Sequence, residues 1–135
     1  MSNQDGYTIE LVLDYWDVPI EGIASADKGR YYFRALFDVD ADAYSDTYEI
    51  TWISEDTKAL AQEARTLWEA SRHNMTDATL RVRSQDAINR LNQLIVRDRQ
   101  QSQPRRVQAK FIRSGRSDQC QYAFDVFWTV PGGGL

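Results

Sequence analysis

Five carboxylates within residues 38–49 fall at positions 1, 3, 5, 9 and 12 of that window: Asp38, Asp40, Asp42, Asp46 and Glu49. An EF-hand loop uses this spacing to converge oxygen ligands on calcium, a hard cation. Position 6 is Ala43, where the sharp turn of such a loop takes glycine, and position 8 is Ser45, where an apolar residue is usual. Both flanks alternate as strands rather than helices. Two readings stay open: a looser divalent-cation site built from these five acids, or an acidic, solvated connection between strands.

A second constellation is basic. Residues 72–116 carry 11 Lys or Arg against 3 Asp or Glu, and Arg83, Arg90 and Arg97 recur every seven residues, which places them along one side of a helix. With Arg105 and Arg106 they form a candidate nucleic-acid surface, since guanidinium forks bind phosphates bidentately and release counterions. Against that stand a sequence pI near 4.9 and the absence of a recognition signature. The alternative is a solvated helix face, or arginines that pair with acidic strands. Charge distribution fits the latter: residues 1–56 hold 13 acids and 3 bases, whereas residues 57–135 hold 7 acids and 13 bases.

Catalytic chemistry finds less support. His73 is the only histidine and Cys120 the only cysteine, so a multi-histidine metal site and an intramolecular disulfide are both impossible. There is no Gly-x-Ser-x-Gly, phosphate loop, His-Glu-x-x-His or dinucleotide glycine pattern, and no cofactor is expected. His73 stands where a helix should end and suits the negative end of its dipole. Cys120 shares a strand row with Tyr122 and Phe124 and reads as a small buried hydrophobe.

Aromatic residues are more suggestive. Tyr15-Trp16, Tyr31-Tyr32-Phe33 and Phe127-Trp128 are adjacent in sequence, so on strands their members point to opposite faces. One of each group is left outside the core. Tyr15, Trp16, Tyr32 and Phe127 are therefore the candidate partner-binding residues, because Tyr and Trp anchor protein interfaces.

These residues must be positioned by recognisable elements. Tyr7, Ile9, Leu11 and Leu13 alternate with Thr8, Glu10 and Val12 as one strand, and Gly22 to Ala26 forms a short second one. Asp27-Lys28-Gly29 makes a turn, Arg30 to Asp38 resumes alternation with Tyr31, Phe33, Ala35 and Phe37 on one side, and Thr47 to Ile53 completes a four-stranded meander. Ser54-Glu55-Asp56 is a helix start, and Leu60, Ala61, Ala64, Leu67 and Trp68 form one stripe of a helix reaching about Arg72. A second stripe, Ala87, Ile88, Leu91, Leu94 and Ile95, predicts a helix from Ser84 to near Gln101; residues 73–83 fit either a loop or its early start. Val107, Ala109 and Phe111, a turn at 114–118, and Tyr122, Phe124, Val126 and Trp128 form a closing hairpin.

Three of these stretches carry a likeness. Asp14-Tyr15-Trp16-Asp17-Val18-Pro19-Ile20-Glu21-Gly22-Ile23-Ala24, Leu67-Trp68-Glu69-Ala70 and Phe124-Asp125-Val126-Phe127-Trp128-Thr129 resemble a group of small uncharacterised bacterial proteins. That group opens with an aromatic pair, Asp, any residue, Pro, two residues and Gly; Trp16 stands where the group has Tyr. The resemblance implies the element order and a bacterial, cytoplasmic origin. It brings no activity and no site residues.

The expected fold is α+β: a mostly antiparallel sheet of about six strands, comprising the N-terminal meander and the C-terminal hairpin, with two helices on one face. Residues 1–130 form one domain and 131–135 a flexible Gly-rich tail. Hydrophobic content of 42% and aromatic content of 12% exceed what a disordered chain carries. No signal peptide or membrane-length apolar run is present, which predicts a soluble cytoplasmic protein with no membrane partner. The expected function is non-enzymatic binding through protein contacts, including self-association as a homodimer; nucleic-acid binding through residues 72–116 and cation binding by residues 38–49 are the alternatives.

Overall fold

Period-two alternation does build six strands, and they close on themselves. The computed structural model describes residues 6–74, 76–113 and 122–129. In chain order the elements are β1 (Tyr7–Trp16), β2 (Val18–Ala26), β3 (Gly29–Asp38), β4 (Ala43–Trp52), α1 (Glu55–His73), α2 (Ala78–Gln101), β5 (Arg105–Arg113) and β6 (Phe124–Thr129). Each strand pairs antiparallel with the next, and β6 returns to β1 through Tyr7 opposite Val126 and Thr8 opposite Asp125. The fold is α+β with six antiparallel strands, as expected, and the sheet closes into a barrel, a feature the strand pattern left unspecified.

A barrel this narrow has no lumen, so inward side chains must fill it. Tyr7, Ile9, Ala24, Phe33, Tyr48, Ile50, Val107, Val126 and Trp128, drawn from all six strands, form one buried cluster. Phe33 sits among three rings, with centroids 6.0 Å from Tyr48, 6.3 Å from Phe111 and 5.7 Å from Trp128. Such tilted aromatic contacts add specific geometry to a large apolar payload.

The expected single row Tyr7, Ile9, Leu11 and Leu13 is split. Ile9 lies opposite Ala24 but Leu11 opposite Ile23, so Glu10 is an extra residue in β1. A bulge of this kind reverses the facing of everything beyond it. Tyr7 and Ile9 enter the barrel, whereas Leu11 and Leu13 turn outward to the helices. Gly22 makes the close approach feasible: a Cβ there would lie 2.2 Å from the Leu11 carbonyl oxygen.

The helices form an antiparallel hairpin over the outer wall. Ala61, Ala64, Leu67, Ala87, Leu91 and Ile95 bury against Leu11, Ile23, Tyr32 and Ile53. Ser54 caps α1, as its position predicts, by accepting from Thr57 N–H. The second helix starts earlier than Ser84. Asp77 caps it through Thr79 and Leu80 N–H, so residues 73–83 hold the end of α1, its Asn74 cap and the first turns of α2. That turn escaped the stripe because Arg81, Val82 and Arg83 are all exposed. Likewise β2 begins at Val18 and β4 at Ala43, four residues earlier than their apolar alternation suggests. The 114–118 turn, Cys120 and the 131–135 tail lie outside the described residues.

Candidate interaction surface at the hairpin end of the barrel

The turns joining β1 to β2 and β3 to β4 lie at the same end of the barrel, and both are built on aspartates. Asp17 and Asp42 have φ of 63° and 52°, a left-handed conformation that Asp tolerates better than most side chains. Asp38 shapes the second turn by accepting from Asp40 N–H at 3.0 Å and Ala41 N–H at 3.2 Å. Just below, Ala35 lies opposite Tyr48 and Phe37 opposite Tyr44, so β4 carries two extra residues. Ser45 holds that irregularity: its hydroxyl donates to the Leu36 carbonyl and accepts from Thr47 N–H.

This bend opens a groove across the barrel mouth. Trp16, Val18, Ile20, Phe37, Tyr44 and Tyr48 line a cleft of about 460 Å³. Past Val18, Tyr44, Ser45 and Tyr48 it continues into a second cleft of about 390 Å³ beside Asp46, Ala109, Lys110 and Phe111. Tyr48 forms its floor, donating its hydroxyl across the mouth to the Pro19 carbonyl at 2.7 Å, and burial pushes that phenol's pKa well above the usual tyrosine value. Phe37 and Tyr44 meet edge to face at 5.2 Å on the rim. Trp16 is 71% exposed. Three large aromatics left in water beside a concave apolar surface are the composition of an interface anchor. Asp17 and Asp42 line the same cleft and give it an acidic border.

The four residues singled out from sequence do not share this site. Trp16 belongs to it. Tyr15 is half-buried, with its hydroxyl donating to the Asp17 carbonyl at 3.0 Å. Tyr32 is only 4% exposed; it lies beneath the helices, and its hydroxyl donates to Glu21. Phe127 is half-buried on the outer wall, near Gly6. Phe37, Tyr44 and Ile20 were missed, Phe37 because it continues an inward row and Tyr44 because it stands among acids.

The acids of residues 38–49 are dispersed. Asp38 is engaged in its own turn, and Glu49 lies down β4, 3.3 Å from Arg34 and 3.2 Å from Arg99. Among the described residues no three His, Cys, Asp or Glu converge as metal ligands. The arginines are dispersed too. Arg90 pairs with Glu63 at 3.0 Å, and Arg97 with Asp98 at 3.1 Å and Asp56 at 3.9 Å. Arg83 is exposed on the first turns of α2, Arg105 is exposed opposite Ile50, and Arg106 lies opposite Glu49. Glu21, Arg34, Glu49 and Arg106 thus alternate in sign across four neighbouring strands, so the acidic and basic halves of the chain meet on the outer wall.

No family model, curated protein or solved structure matches this chain. No helix among the described residues is long and apolar enough to cross a membrane.

Proposed function

We propose that this protein is a non-enzymatic binding module that holds a protein partner in the aromatic groove at the hairpin end of its barrel. The observation that carries the reading is Trp16, exposed above a continuous apolar cleft whose rim also holds Phe37 and Tyr44. A soluble chain gains nothing in stability from a tryptophan in that position, whereas desolvating it against a partner supplies the kind of contact that dominates interface energetics. The acidic border favours a partner with basic groups.

Self-association is the second form of this reading. Arg81 and Arg83 flank exposed Val82 on α2, a basic and apolar counterpart to the acidic, aromatic groove. Phosphate binding has weaker support, since Arg90 and Arg97 are engaged with acids of the helical hairpin.

Native mass spectrometry and NMR titration test the proposal together. A basic, apolar peptide should shift the Trp16 indole and the rings of Phe37 and Tyr44, and Trp16→Ala should abolish the effect. Binding that ignores Trp16→Ala and leaves those rings unshifted would overturn it.

A further inference from the structure

Among the described residues the ring of strands parts between β1 and β6 and between β4 and β5, and the two seams are treated differently. Between β1 and β6, pairing stops after Thr8. There the exposed backbone is covered: Arg65 donates to the Ile9 carbonyl at 3.1 Å, and Val12 N–H donates to the Tyr122 hydroxyl at 3.1 Å. Arg65 also stacks over the Tyr122 ring at 3.8 Å, sealing the gap.

Between β4 and β5 the ladder ends at Thr47 opposite Gln108. Above that pair β4 carries its two extra residues, and among the described residues β5 has no β4 partner from Ala109 to Ile112. The second cleft of about 390 Å³ lies in this seam, with Tyr44, Ser45, Asp46 and Tyr48 on one side and Ala109, Lys110 and Phe111 on the other. Neighbouring strands stand about 4.8 Å apart, so a strand seated between β4 and β5 would need the seam to span about twice that distance. An open strand edge with apolar surface beside it is a template for strand addition.

We infer that the partner enters as an extended strand, adding to the β5 edge at residues 109–112 and laying alternate side chains into the groove. This rests on the binding reading proposed above. The occupant is a segment of another protein in which apolar and basic residues alternate. Its apolar side chains face Phe111 and Tyr48, and its basic ones meet Asp42 and Asp46, acids that outnumber Lys110, the single cation among the described residues lining the two clefts. Lys110 is the only charge between 109 and 112; a like charge brought by a second copy would oppose direct pairing of two β5 edges.

The test uses the full-length protein and two synthetic peptides, each alternating valine or isoleucine with lysine or arginine. One is unmodified; the other is N-methylated at alternate amides, which preserves side chains and removes strand hydrogen bonds. Strand addition predicts that the unmodified peptide slows amide exchange within 109–112 and that N-methylation weakens binding by roughly tenfold or more, the loss of two or three hydrogen bonds. Equal binding of both peptides, still sensitive to Trp16→Ala, would overturn strand addition while leaving the groove reading intact. Failure of both peptides to bind would overturn both. A dimer of the protein alone that protects the same amides would assign the edge to a second copy and overturn the proposed occupant.

Discussion

The Asp98 carboxylate, near the end of α2, accepts a hydrogen bond from the Thr57 hydroxyl in the first turn of α1. The same oxygen accepts from Ser54 N–H at 3.1 Å, and the other oxygen receives the Arg97 guanidinium. Asp98 is 2% exposed. One buried acid thus ties the exit of β4, the start of α1 and the end of α2 together.

Removing that acid should be expensive. Asp98→Ala strands a buried hydroxyl, a backbone N–H and part of the Arg97 charge, and is expected to cost about 3 kcal/mol. Thr57→Val, which removes one donor and keeps the volume, should cost about 1 kcal/mol. Urea denaturation of both single variants and the double variant checks this, with coupling between the two positions as the expected signature.

Gly22→Ala should destabilise by about 1–3 kcal/mol, since its Cβ meets a backbone carbonyl that cannot move aside without unpairing the β1 bulge. A thermal midpoint equal to that of the parent would show that the bulge can shift.

Trp16→Ala should leave stability within about 0.5 kcal/mol, as surface substitutions usually do, while removing partner binding. Calorimetry separates the two effects; a large fall in the thermal midpoint would make Trp16 a structural residue.

Alkaline pH should unfold the barrel through its tyrosines. Burial raises the pKa of Tyr7 to about 12 from 10.0, and burial likewise raises those of Tyr32, Tyr48 and Tyr122. Because the folded values are raised, the associated stability is complete below pH 10 and is lost as pH climbs from 10 toward 12 and beyond. Phenolate absorbance and circular dichroism followed together should show these groups ionising with the loss of structure. Ionisation of all seven tyrosines near pH 10 with the fold intact would contradict the burial described.

Much of this architecture was legible in the residues. Tyr31, Phe33 and Ala35 alternate inward as their spacing requires, Ser54 caps α1, and the Leu91 stripe meets the Ala61 stripe. Barrel closure was not legible, because it depends on pairing between β1 and β6, strands distant in sequence whose local pattern is the same in an open sheet. The facing of Leu11 depends on one inserted residue, Glu10, that carries no signature of its own. The groove was only partly legible: Trp16 stood out, but Phe37 and Tyr44 join it through the irregularity of β4, which no periodicity announces. The charge division was legible as a number and became meaningful only once the order of strands set Glu21, Arg34, Glu49 and Arg106 side by side.

The helical hairpin separates β4 from β5 along the chain, and this orders events during synthesis. When both helices have left the ribosome, Leu11, Ile23, Tyr32 and Ile53 are already present, so the outer wall can be covered at once. The inner wall cannot: Tyr7, Phe33 and Tyr48 wait for Val107, Val126 and Trp128, which are translated last. The nascent chain therefore passes through a stage as a half-barrel, roofed by its helices on one side and bare on the other, with β1 and β4 as raw edges. Slowing translation between α2 and β6 would prolong that stage and raise the fraction of chains lost to aggregation.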